Sequence, residues 1–311
     1  MVKAINILRR SLHSFFKNYH PAASTAAFLA LPFSAAALFS QSLAVSSSAV
    51  HSKISSRLWL LFDAAGFPAA SQFFLLLNSK LSQTILSSIS TLPFAFTFLL
   101  LAKASVFQIV RDFPPCKRST PSFVSALRLY SSLVKTQIFN SFAILSANAA
   151  VFSLLFLAFN TMEVVHLLSK NSILVLSVAG VIVYSVVLAN AMVACNLAIV
   201  VSGIERCGGY LAFVKALMLI RGRTATAITL SLPANLGIAA VESLFQFRVM
   251  RSYKLHGGFG MMVSWEGLLI AYMYSVVVVL DTIITCMLYK SCKAREGNWQ
   301  GNDEEKGALQ A

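Results

Sequence analysis

Acidic residues are scarce in this chain: 11 Asp and Glu stand against 25 Lys and Arg. Charge of both signs together reaches only 12% of 311 residues, about half the share usual in a soluble domain. Mean hydropathy is +0.74. A chain that is 57% hydrophobic has too few polar side chains to cover a soluble surface, which excludes an ordinary water-soluble globule. Cysteine is also sparse. Cys116, Cys195, Cys207, Cys286 and Cys292 form no C-x-x-C pair and have no nearby histidine, so neither a zinc site nor a disulfide scaffold is expected. The histidines, His13, His20, His51, His166 and His256, fall outside the apolar runs and make no H-E-x-x-H pair. A G-x-S-x-G elbow and a Walker loop are missing as well, and the "GGFG" of Gly257–Gly260 lacks the strand, helix and acid of a nucleotide fingerprint. No catalytic residue, metal or cofactor is assigned, and an intramembrane enzyme is the remotest of the functional alternatives.

What is present is apolar length. Runs at 22–45, 84–109, 136–159, 173–201, 225–247 and 264–288 each exceed the roughly 20 residues needed to cross about 30 Å of hydrocarbon. Backbone polar groups in lipid must be satisfied within a helix, so the expected fold is an all-α, polytopic transmembrane helical bundle. The six-helix domain covers 22–289. Ahead of it, 1–20 reads as a cytoplasmic amphipathic segment, with Lys3, Arg9, Arg10 and Lys17 set among Ile5, Ile7, Leu8, Leu12, Phe15 and Phe16. A cleaved signal peptide is the rival reading, opposed by the long basic region and the long apolar stretch after Pro21. Behind the domain, the polar, glycine-containing 290–311 is expected to be a disordered cytoplasmic tail.

One stretch is ambiguous. Residues 59–77, "WLLFDAAGFPAASQFFLLL", resemble a seventh span but are interrupted by Asp63, Gly66, Pro68, Ser71 and Gln72. With six spans and a cytoplasmic N-terminus, 17 Lys and Arg fall in the inside segments and 7 in the outside loops, with Lys103 inside a span. Counting 59–77 as a crossing leaves 9 inside and 15 outside. The positive-inside rule selects six spans with both termini cytoplasmic, and 59–77 as an outer interfacial or re-entrant segment. The net charge of +14 is explained by the same loop cations, facing anionic headgroups rather than nucleic acid.

Ionisable groups within spans are costly and mark candidate sites. Lys103, Glu242 and Asp281 are the candidates for a polar or transport site. Asp281, in "VVVVLDTIITC", has Lys103 as its expected partner, either for packing or for substrate or proton handling; Lys103 alone also reads as a snorkelling cation. Glu242 follows Pro233 and Gly237, where a kink and close helix contact are expected. Gln137, Asn140, Asn190 and Asn196 read as interhelical hydrogen bonders. Cys286 and Cys292 flank the inner face as candidate palmitoylation positions.

The loop "VSGIERCGGYLAFVKALMLIRGRTATA" is the richest polar element. Gly203, Gly208 and Gly209 are expected to end the fourth span, and Tyr210–Ile220 to form a short helix with Leu211, Val214, Leu217 and Met218 on its apolar side. Lys215, Arg221 and Arg223 are the candidate lipid-headgroup contacts, Gly222 a break, and Thr224 a cap for the next helix. The segment "G-I-E…A-F-V-K-A-L-M-L-I-R-G-R-T", with the proline-containing first span after a basic N-terminus, resembles a large plant family of uncharacterised six-span membrane proteins. The resemblance implies the architecture and an endomembrane setting, endoplasmic reticulum or plasma membrane, and supplies no catalytic residues. The expected function is structural, lipid-contacting or membrane-organising, with the bilayer and its anionic lipids as partners and a small-solute or ion transporter as the alternative. Cysteines introduced at Thr120 and Gln300 test the topology: both are expected to resist an impermeant thiol reagent in sealed cells, and labelling of either from outside overturns the six-span arrangement.

Overall fold

A computed structural model describes residues 2–46, 48–64, 72–111, 123–164, 170–252 and 261–308. The described chain is almost entirely helical: α1 (Val2–Lys17), α2 (Tyr19–Thr25), α3 (Leu31–Ser46), α4 (Ser48–Ala64), α5 (Gln72–Phe94), α6 (Leu100–Arg111), α7 (Phe123–Val164), α8 (Lys170–Glu205), α9 (Tyr210–Ile220), α10 (Thr224–Phe245) and α11 (Met261–Ala308). Among the described residues six stretches are long and apolar enough to span a membrane: Tyr19–Ser40, Leu75–Val110, Leu129–Ala158, Leu174–Glu205, Thr224–Met250 and Ser264–Ala294. They match the six apolar runs of the sequence and reach past most of their ends, because a helix continues beyond hydrocarbon wherever its side chains allow. The "GGFG" loop and Cys116 lie outside the described residues.

α11 is the centre of the bundle. Of its most apolar window 56% is buried, against no more than 33% in any other span, and it packs against α1, α3, α6, α8 and α10. Lipid tails supply no hydrophobic force between spans, so close approach through small side chains has to do that work. In the first span Ala22, Ala26, Ala30 and Ser34 form a fully buried stripe at helical spacing. Gly267 of α11 leaves room for the Phe39 ring, which a Cβ would meet at 2.9 Å, and that ring stands edge-on to Phe245 at 5.3 Å. α1 is helical as expected. It docks on α10 and α11 with Ser11, Ser14 and Phe15 buried, leaving Ile5, Leu12 and Phe16 exposed.

Three spans contain a π-helical turn: Ala26–Ala30, Ala95–Leu99 and Gln246–Met250. The second follows Pro93, whose missing N–H disturbs the helical ladder. The irregular turn is satisfied locally, since Thr97 donates to the Pro93 carbonyl at 2.7 Å and Tyr130 of α7 donates to the Phe96 carbonyl at 3.0 Å.

The structure alters several sequence expectations, four of them at the level of the fold. Residues 59–64 and 72–77 are the end of α4 and the start of α5. The two helices are paired by Asn78 donating to the Ser55 carbonyl at 3.2 Å and by Ser82 within 3.1 Å of His51, so the second span's helix begins at Gln72 instead of 84. Gly203 does not end the fourth span. It lies inside α8 where Phe107 crosses, and a Cβ there would sit 2.3 Å from the ring. Cys286 and Cys292 are buried, which leaves no surface for an acyl chain. Finally, α11 continues as helix to Ala308 through the expected tail, because lengthening an existing helix adds a hydrogen bond per residue without a new nucleus.

The Gly203 contact yields a test. Gly203→Val forces Phe107 out of its place and is expected to cost about 1–3 kcal/mol, the usual range for overpacking. It should appear as a lower melting temperature of the purified protein, whereas Gly222→Ala displaces no neighbour and should cost only the strain of a side chain at positive φ.

Candidate functional site

At one end of the bundle the C-terminus of α8, all of α9 and the C-terminal half of α11 meet on one carboxylate. Glu205 Oε1 accepts from the Tyr289 hydroxyl at 2.6 Å and from Lys293 Nζ at 2.8 Å, and Oε2 accepts from Lys215 Nζ at 3.0 Å. The carboxylate is mostly sheltered, while both lysines are about half exposed. The Lys215 ammonium is held above its ordinary value by the hydrogen bond to Glu205 and by that carboxylate's charge.

Local backbone chemistry puts the groups there. After α8 the chain turns through Arg206 at φ 56° and Gly209 at φ 69°; the second is a conformation that glycine adopts without a Cβ penalty. The turn is anchored from α7: Thr136 Oγ1 accepts the Gly209 N–H at 2.9 Å and lies 2.9 Å from Ser202 Oγ, which is 3.0 Å from Ser132 Oγ. Gly208 passes so close to Ser132 that a Cβ would meet its carbonyl oxygen at 3.2 Å. α9 then folds back on α8 with Ala212, Ala216 and Ile220 buried and Tyr210, Leu211, Leu217 and Met218 exposed. Gly222, at φ 78°, supplies the expected break. The residue that caps α10 is Arg223, without a side-chain bond, and Thr224, the expected cap, is the first residue of the helix.

Of the sequence candidates, Lys215 joins this cluster through Glu205, Arg221 is exposed and Arg223 half-buried on the turn that follows. Lys290 of α11 reaches the same end and donates to the Val110 carbonyl at 2.6 Å, satisfying one of the free carbonyls that close α6. Lys103 and Asp281 lie deeper, on the wall of one small cavity shared with Asn196, Thr282 and Thr285. Glu242 is far from them, near the other end, where it accepts from the Tyr274 hydroxyl at 3.4 Å. Asn140 makes the expected interhelical bond, to the Cys195 carbonyl at 2.9 Å. Asn190 instead bonds back to Val186 in its own helix. No group of three or more His, Cys, Asp or Glu able to hold a metal occurs among the described residues.

Glu205 is the residue that the sequence reading passed over. Its signal was present, since it is the sole acid of a loop that carries Arg206, Lys215, Arg221 and Arg223. Glu205→Ala leaves two ammonium groups and a buried-side hydroxyl without their acceptor. It is expected to cost about 1–2 kcal/mol, charged hydrogen bonds being discounted here for the exposure of the lysines. In a double-mutant cycle read by thermal denaturation, Glu205→Ala and Lys293→Ala should be less than additive; strict additivity would show that the pair does not act as a unit.

No curated protein and no solved structure matches the chain. A family profile described as a domain of unknown function, DUF8558, matches residues 2–299, which takes in every span and the whole Glu205 cluster. The protein is a multi-pass membrane protein that belongs to the DUF8558 family.

Proposed function

We propose that the protein is a lipid-contacting, membrane-organising element whose working surface is the end carrying α1, α9 and the Arg221–Arg223 turn. The observation that supports this reading is that two short helices, each docked on the bundle core by one face, present apolar side chains outward beside cations. α1 offers Ile5, Leu12 and Phe16 next to exposed Arg9 and Arg10. α9 offers Tyr210, Leu211 and Met218 next to exposed Arg221. Both helices join one hydrophobic core, through Ile7, Leu8 and Phe15 on one side and Ala212, Ala216 and Ile220 on the other. Apolar groups at acyl-chain depth with cations at the phosphate level are the arrangement that holds an interfacial helix on an anionic surface. In the topology read from the sequence this end faces the cytoplasm, where anionic lipids add to its charge. Lys215 contributes to the field of this surface while holding Glu205.

A second reading, a small-solute or ion transporter, draws support from Lys103 and Asp281 on a shared cavity. Its weakness is size, because that cavity has room for little more than a water-sized guest.

Spin-labelled phospholipids test the first reading. With the protein in mixed bilayers, the motionally restricted fraction is expected to favour a spin-labelled anionic lipid over a zwitterionic one. Arg221→Ala combined with Arg223→Ala should bring that preference down towards unity, with the bundle still folded. Identical selectivity in the wild type and the double variant counts against the assignment.

A further inference from the structure

The cavity between α6, α8 and α11 has chemically opposed walls. Lys103 from α6 and Asn196 from α8 bring hydrogen-bond donors to it. Asp281, Thr282 and Thr285 of α11 bring acceptors. The hydroxyl protons of the two threonines are already committed, Thr282 to the Val278 carbonyl and Thr285 to the Asp281 carbonyl, both at 2.9 Å, so only their lone pairs remain for a guest. Lys103 and Asp281 act on each other electrostatically. Yet among the described residues neither side chain has a hydrogen-bond or ion-pair partner, and both described ion pairs belong to Glu205. Among the described residues the side-chain amide of Asn196 likewise has no hydrogen-bond partner.

Two opposite charges on the wall of one half-buried cavity, without direct contact, are partly desolvated and unpaired unless something fills the space between them. The walls decide what fits. A cation meets the Lys103 ammonium and an anion meets the Asp281 carboxylate, so neither ion is favoured. A neutral molecule that accepts on one side and donates on the other satisfies both walls, and the space admits one about the size of water. A neighbouring cavity shares Asn196 and Thr285 and continues to Ser231 of α10, which gives the guest a way in between α8 and α10.

We propose that this cavity binds a single water molecule bridging Lys103 Nζ to the Asp281 carboxylate, and that the three together form a proton-exchange site within the membrane domain. The step is balanced: the water gives one proton to Asp281 as it takes one from Lys103. An ammonium and a carboxylate become an amine and a carboxylic acid, and the water is regenerated. Net charge is zero before and after, so the exchange charges nothing in a medium of low dielectric. The other titratable groups around Lys103 are the thiols of Cys195 on α8 and Cys286 on α11.

The test uses the full chain in phosphatidylcholine nanodiscs with carboxyl-13C aspartate. Only Asp63, Asp112, Asp281 and Asp303 carry the label, and Asp281→Asn identifies the signal of interest. Water binding is read by solid-state NMR as magnetisation transfer from water protons to the Asp281 carboxyl carbon. It is expected in the wild type and lost in Asn196→Leu, whose side chain fills the cavity with an unchanged melting temperature. Transfer that is absent in the wild type, or equal in Asn196→Leu, overturns the water site. Proton exchange is read in the infrared as the carbonyl band of the neutral Asp281 acid. That band is expected in the wild type and lost in Lys103→Arg, which keeps the charge but cannot release a proton. Its absence from the wild type, or persistence in Lys103→Arg, overturns the exchange while leaving a water site to stand on the first measurement. Should Asn196→Leu unfold, Thr285→Leu, which fills the same cavity from α11, takes its place with the same expected loss.

Discussion

Six apolar helices in a bilayer have no hydrophobic reason to choose one another over lipid, and close contact around α11 is what turns them into a single bundle. The contact is possible because side chains vanish where helices cross. Ala22, Ala26, Ala30 and Ser34 on the first span, Gly203 under Phe107 and Gly267 under Phe39 all remove bulk at a crossing. Dispersion then acts over short distances, which is the main favourable term available between spans in lipid. Polar contacts add direction to that packing: the Ser132–Thr136–Ser202 knot and the Asn140–Cys195 bond fix α7 against α8 in one register. The consequence is a division of labour. α11 supplies the common wall, and its neighbours bring the groups that make each end distinct.

The spans were legible in the sequence because hydrocarbon imposes a length, and runs such as 264–288 meet it with few interruptions. α1 and α9 were legible for a related reason, since cations spaced among apolar residues describe a helix that is half in and half out. What was not legible depends on distance along the chain. The donors to Glu205 lie 10, 84 and 88 residues away, and no local pattern announces such a meeting. Gly203 shows the same limit. A glycine near a span's end reads as a stop, and only the crossing of Phe107 reveals that it is a place for another helix. Asp281 and Lys103 stood out by cost alone. The sequence named them as partners, but the gap between them and the role of Asn196 come from how three helices converge.

The two polar regions differ in what holds their charges. At Glu205 every partner is in direct hydrogen-bond contact and water is close at hand, so the cluster behaves as a clamp between α8, α9 and α11. Around Asp281 the charges are separated, and the surroundings are apolar except for Asn196 and two threonines. The first arrangement fixes geometry. The second leaves two opposite charges out of direct contact, beside a space about the size of a water molecule.

The helical path from Gln72 to Arg111 is continuous, with the π turn after Pro93 as its one irregular point, and it is about 60 Å long. Its far end is paired to α4 through Asn78 and Ser82, and its near end is held by the Lys290 ammonium at Val110. A rod with an irregular turn in its middle and a grip at each end is fixed at both ends. Lys103 therefore sits on a stretch of helix whose position is set from both directions, by the α4 pairing on one side and by α11 on the other.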